Sequence, residues 1–210
     1  MSLIGRQAIY IKVAPPAFFE GFMDFFKIIT DFFNEASPRT IAAHAVGFVA
    51  LTVAVFVFLL KRRRHIIAAK LATDAIYSIH FALLGSYTAS AINLIGVLRG
   101  AVFYNKERKW ASSRAWCIFF VLLTLGSSAL TWAGAISLLP AVGSSLAVVG
   151  LWSSSTLRLR ILNLAGITLW LIYTVIIFSP AAIICNVIYV TTIIISLVKE
   201  IKETRQGKAN

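Results

Sequence analysis

The chain has 210 residues, 59% of them hydrophobic and 13% charged, with a formal net charge of +12. Soluble domains carry about 25% charged residues, so this composition, with a mean hydropathy of +0.85, excludes that class. The apolar runs are continuous rather than alternating and reach the roughly 20 residues that a membrane helix needs, which excludes a barrel and leaves a polytopic all-α membrane protein.

Residues 1–39 form an N-terminal segment. Within it, at about 17–36, Glu20, Asp24, Lys27, Asp31 and Glu35 recur every three to four positions, and phenylalanines fill the remaining arc. That spacing predicts an amphipathic helix lying in the membrane interface. Seven spans are expected after it, at about 40–60, 65–85, 88–104, 115–133, 136–152, 157–178 and 181–198.

The basic charge falls in alternate connections. Lys61 to Arg64 form one cluster, Lys106, Arg108, Lys109 and Arg114 a second, and Arg158 with Arg160 a third. Lys199, Lys202, Arg205 and Lys208 lie in a tail at 199–210. The connections around 86–90, 134–137 and 179–181 carry no charge. By the positive-inside rule this predicts the N-terminus outside and the C-terminus in the cytoplasm, as an odd number of crossings requires. The charge is a topology signal, so the lipid bilayer is the expected partner and nucleic acid is not.

Shifting the chain by 93 residues, the separation of Asn93 from Asn186, lays the second and third spans over the sixth and seventh. Leu71 meets Leu164, Ile79 meets Ile172, Ser86 meets Ser179 and Ala89 meets Ala182. Copies separated by an even number of helices share one membrane orientation, which makes them parallel repeats. The expected plan is 3+1+3: a first three-helix bundle at 40–104, a linker helix within 105–134 and a second bundle at 135–198.

An ionisable residue inside a span is a functional-site candidate by default. Asp74 and Arg99 lie equally far from a turn at Ser86 and Tyr87, and so do His80 and Asn93. Arg99 could give Asp74 a bidentate, charge-assisted partner. Lys70, one helical turn before Asp74, is the second candidate, although its stem is long enough to reach the interface instead. These three are expected to form a structural ion pair or a gate.

His80, Asn93, their repeat counterparts Tyr173 and Asn186, and His44 make a polar layer suited to a hydroxyl- or amide-bearing solute. The same residue types also hold helices together. Trp170 shares a helical face with Tyr173 and could stack on a solute. Pro140, with Gly143 and Gly150 beyond it, is the expected hinge. Cys117 and Cys185 lie in apolar runs and show neither a disulfide framework nor metal-ligand spacing. The sequence holds no HExxH, GxSxG, phosphate-binding loop or carboxylate dyad, so neither catalysis nor a cofactor is expected.

HFALLGSY at 80–87, followed by Arg99, and LLPAVGSSLAVVGLW at 138–152 resemble the YgjV-like bacterial inner-membrane proteins over about 42–201. That family is itself similar to the SWEET and PQ-loop transporters, which implies the same 3+1+3 plan and orientation. The resemblance implies that Asn93 and Asn186, with Gly96 at the family spacing, face a central solute pocket. LWLIY at 169–173 is similar to the LWxxY stretch of the group. The chain departs from the SWEET pattern by keeping only Pro140 of the hinge prolines and by lacking the Pro-Gln signature.

The expectation is therefore a small-solute transporter of the bacterial inner membrane, facilitated or proton-linked. Its pocket would run from the midplane outward, lined by Asn93, Asn186, His80, His44, Trp170 and Tyr173. One alternative is a vitamin or nucleoside carrier of the same fold. Another is a non-transporting scaffold or accessory protein, which predicts no cavity around Asn93 and Asn186. One chain holds both bundles, so an oligomer is open to it but not required.

Overall fold

The computed structural model describes residues 36–153 and 155–206, together with Lys27. By its internal contacts the chain from Pro38 onward is one unit and Met1–Ser37 another. The amphipathic helix expected at about 17–36 lies outside the described residues except at Lys27, which is helical, and Ala36.

Seven α-helices follow among the described residues: α1 Pro38–Phe56, α2 Arg63–Leu83, α3 Tyr87–Tyr104, α4 Ala115–Leu130, α5 Leu138–Leu151, α6 Thr156–Ile176 and α7 Pro180–Gln206. Short 3₁₀ turns at Val57–Leu59 and Ala135–Ser137 extend α1 and precede α5. By length and composition α1, α2, α6 and α7 can cross a membrane. The other three expected spans are shorter or more polar. Helix α3 has 18 residues and spends two of them on Asn93 and Arg99, while α4 has 16 and α5 has 14.

Helix α7 continues through Lys199 and Lys202, so most of the expected basic tail is its last turns. Arg160 holds that extension in place, donating at 2.7 Å to the Ser196 carbonyl and pairing at 2.6 Å with Glu200. Helix α2 packs against both α1 and α3, and α6 against both α5 and α7. Helix α4 lies between α3 and α5, and α1 meets α7.

The α2–α3 and α6–α7 hairpins turn in the same way. In the first, the Ser86 amide donates to the Phe81 carbonyl, Gly85 to Ala82 and Leu84 to His80. In the second, Ser179 donates to Thr174, Phe178 to Val175 and Ile177 to Tyr173. The bond from the residue two past the helix back to its last turn is the mark of a Schellman cap, which needs a left-handed residue in between. Gly85 supplies it at φ 76°, and Phe178 adopts it at φ 48°. Pro180 then opens α7 where its missing amide hydrogen removes no helical bond.

Burial is uneven along the helices. Call the end with the turns at 84–86, 131–137 and 177–179 the hairpin end, and the opposite one the basic end. No described residue of α2 before Thr73, of α6 before Gly166 or of α7 after Asn186 is buried. These three helices are packed from their middles to the hairpin end. A second core of Ile95, Val102, Ala111, Phe120 and Val148 keeps α3, α4 and α5 together toward the basic end.

Glycines set the closest helix contacts. A methyl on Gly143 would sit 2.7 Å from the Gly166 carbonyl oxygen, and one on Gly166 would strike the carbonyl of Gly143. Both obstacles are backbone, so α5 and α6 would have to separate. Gly143→Ala and Gly166→Ala should each lower stability by about 1–3 kcal/mol, as overpacked cores do. Thermal unfolding in detergent checks this, with Gly126→Ala as the control expected to lose no stability, because a methyl there meets no atom within 4 Å and alanine favours the helix.

Candidate functional site

A cavity of about 370 Å³ lies among α2, α3, α5, α6 and α7. Its lining residues run from Lys70 to Phe81 on α2, Ile92 to Arg99 on α3, Gly143 to Leu151 on α5, Asn163 to Thr174 on α6 and Ala182 to Ile193 on α7. Both hairpins contribute. The charged lining residues are Lys70, Asp74 and Arg99.

Asp74 is paired within its own helix. Lys70 Nζ lies 2.6 Å from Asp74 Oδ1, the i, i+4 contact that a helix presents on one face. The expected bond from Arg99 to Asp74 does not form, and the register of the hairpin explains why. Ser78 and Ser90 exchange hydroxyl-to-carbonyl bonds of 2.9 and 2.8 Å between α2 and α3. That pairing sets Gly96 against Asp74, where a methyl would come within 2.9 Å of Oδ2, and Gly100 against Leu71. Arg99 therefore faces the cavity, forms no hydrogen bond or ion pair with a described residue, and feels Asp74 only through space.

Asn93, Asn186 and Trp170 all line the cavity. Asn93 Nδ2 donates to the Ala89 carbonyl at 2.8 Å and Asn186 Nδ2 to Thr174 Oγ1 at 3.1 Å. Each amide thus has one donor held, which fixes its orientation and leaves the carbonyl oxygen for the cavity. Trp170 Nε1 donates to Ser144 Oγ at 2.9 Å, anchoring the indole between α6 and α5.

The other expected lining residues lie elsewhere. His80 is fully buried toward the hairpin end. Its Nδ1 donates to the Ala43 carbonyl at 2.6 Å, and its Nε2 lies 2.8 Å from Ser179 Oγ. Since a carbonyl only accepts, Nδ1 carries a proton, and a neutral ring takes the Ser179 hydroxyl at Nε2. The ring joins α2 to α1 and to the start of α7, and its neighbour is His44, with centroids 6.2 Å apart. Tyr173 is buried in the apolar cluster with Tyr77 and Phe81, 5.9 Å from the Trp170 ring. His44, His80 and Tyr173 are thus packed behind the cavity rather than in its wall.

Pro140 stands in the first turn of α5, just after the 3₁₀ turn. There a missing amide hydrogen breaks no helical bond. It starts the helix instead of kinking its middle, and the hinge expectation loses its basis.

Residues 41–204 match the family model of the Imp-YgjV bacterial inner membrane proteins. The chain belongs to this family. It is 23% identical over 131 residues to inner membrane protein YgjV of Escherichia coli strain K12, an alignment covering 62% of this chain and 69% of that one. No solved structure matches. Family membership and the apolar helices make this an integral protein of the inner membrane, in contact with the lipid bilayer.

In this Imp-YgjV protein the wall of the cavity includes polar residues that the sequence reading passed over: Asn163, Ser144, Thr174, Tyr77 and Tyr189. Asn163 was within reach of the same shift that matched the two asparagines, since it lies 93 residues after Lys70. Arg39 was passed over too; it donates at 2.9 Å to the Ala82 carbonyl, which also accepts from the Gly85 amide in the turn that ends α2.

The geometry separates residues that hold the bundle from residues that face the cavity. His80→Ala leaves the Ala43 carbonyl and the Ser179 hydroxyl without their buried partner and should cost about 1–3 kcal/mol. Asn93→Ala gives up only a bond to its own helix, about 0.5–1.5 kcal/mol. Chemical unfolding of both variants should rank them in that order.

Proposed function

We propose that the protein is a carrier for a small polar solute, built as a parallel 3+1+3 repeat of the SWEET-like kind. The observation that carries this reading is the cavity itself. It lies between two hairpins and is faced by Asn93 and Asn186 from matched positions. The scaffold alternative expects no such space. The repeat is supported by the matching Schellman turns 93 residues apart and by the shared packing of α2 and α6 against both their neighbours. On this reading α3, α4 and α5 also cross the bilayer, giving seven spans.

The uneven burial supports a state open at one side. At the hairpin end His80 joins α1, α2 and α7, while Thr88 donates to the Thr131 carbonyl at 2.6 Å and Ser128 to that of Ser137 at 3.1 Å. At the basic end no described residue of α2, α6 or α7 is buried. With the basic connections in the cytoplasm, the cavity is reached from that side and sealed from the other. Its volume is at the lower end of ligand pockets, about 300–1,000 Å³, which favours a compact solute over a nucleoside or vitamin. No step of this reading needs catalysis or a cofactor.

Two measurements test it. With Cys117 and Cys185 replaced by serine, Asn163→Cys should react with a membrane-impermeant maleimide in inside-out vesicles and resist it in right-side-out ones; the reverse would overturn the orientation. In liposomes holding the purified chain, uptake from a panel of small sugars, amino acids and organic acids should fall at least about tenfold in Asn93→Ala, the worth of one hydrogen bond to solute. No uptake of any solute would sink the carrier reading.

A further inference from the structure

The carrier reading leaves the solute's chemistry open, and the charges in the cavity narrow it. Resting on that reading, we infer that the solute is a small organic monoanion whose carboxylate, or equivalent acidic group, sits on Arg99.

Three charges line the cavity, two positive and one negative. Lys70 and Asp74 answer each other at 2.6 Å. That leaves one positive charge over, on a guanidinium that bonds to no described residue. A cation in the middle of a membrane bundle is costly unless something answers it. Guanidinium is the side chain best shaped for a planar acid, since its fork matches both oxygens of a carboxylate. A neutral solute would leave the charge uncompensated, and a cation would add to it.

The rest of the wall fits the body of such a molecule. Trp170, Phe81 and Ile92 supply apolar surface, and Asn163 brings an amide that makes no hydrogen bond with a described residue. The carbonyl oxygens of Asn93 and Asn186 face the same space and accept from a hydroxyl or amine elsewhere on the solute. Only one hairpin carries the charges: the positions 93 residues after Asp74 and Arg99 are Ile167 and Thr192. The acidic group therefore has one place to go, and the solute is held in one orientation.

The test uses three probes of one shape and different charge: benzoate, benzamide and benzylamine. Binding to the purified full chain is read from tryptophan fluorescence, with Trp170→Phe locating the signal. Benzoate should bind at least about tenfold tighter than benzamide, a difference of about 1.4 kcal/mol, and benzylamine weakest. Arg99→Gln should remove the preference for benzoate and leave benzamide unchanged, which also reports that the variant is folded. Arg99→Lys should recover part of the preference.

Benzamide binding as tightly as benzoate overturns the inference, as does benzoate binding unaltered by Arg99→Gln, or no binding by any probe. An anionic lipid headgroup is the other source of a matching charge. Benzoate binding abolished by adding phosphatidylglycerol to phosphatidylcholine liposomes would give Arg99 to the lipid and overturn the solute assignment. Uptake of neutral solutes in the same liposomes would leave the carrier reading standing after the anion had failed; no uptake at all would remove both.

Discussion

One side chain ties the ends of the bundle together. The His80 ring lies in α2, donates to a carbonyl of α1 and meets a hydroxyl at the first turn of α7. Its site is tight as well as polar, since a methyl on Gly47 would fall 2.8 Å from the ring. In a membrane the apolar environment gives helices little reason to associate, so small residues and interhelical hydrogen bonds do that work. Here both devices meet at one ring.

The same helix carries two of the three charges of the cavity, Asp74 about two turns and Lys70 about three turns below the ring. Helix α2 is therefore at once the seal and the wall. Its polar residues divide by face as much as by depth. His80 turns toward α1 and α7, Ser78 toward α3, and Lys70 and Asp74 toward the cavity. Gly96 and Gly100 let α3 approach closely enough for Asp74 to be covered by backbone on one side and by Lys70 on the other. The carboxylate is thereby satisfied locally, and Arg99 is left to the cavity. On the proposed reading that division of labour is what makes the site anionic in preference.

Depth was legible in the sequence, and rotation was not. The apolar runs located all seven helices within a few residues, except for the polar end of α7, because hydropathy averages over a whole turn. Equal distance from the turn puts His80 level with Asn93 and Asp74 level with Arg99 only to within about a turn, since the contacts set Asp74 against Gly96. At 100° per residue, level residues on two helices face each other only if the hairpin register brings them round. That register is set by Ser78, Ser90, Gly96 and Gly100, none of which looks like a site residue. The asparagines were singled out because the expected repeat marked them twice, and both line the cavity. Asn163 was missed because its partner under the same shift is a lysine, and unlike residues do not advertise a common position. Pro140 misled for a different reason: a proline's effect depends on its place in a helix, and the start of α5 lay two residues from where it had been drawn.

The two hairpins keep their turns and differ in their middles. Phe178 takes a left-handed conformation that costs a residue with a side chain about 1–2 kcal/mol, where its counterpart Gly85 takes it freely. A turn held at that cost fixes something the bundle needs. What it fixes is the start of α7: the Schellman bond from the Ser179 amide sets the residue whose hydroxyl meets His80. In the first hairpin the equivalent turn positions Ser86 and, through it, the register that leaves Arg99 facing the cavity. The proposed repeat has thus preserved the geometry that closes one end while its mid-helix residues have diverged, Lys70 against Asn163 and Asp74 against Ile167. On the proposed reading, closure is shared between the halves and charge recognition belongs to one.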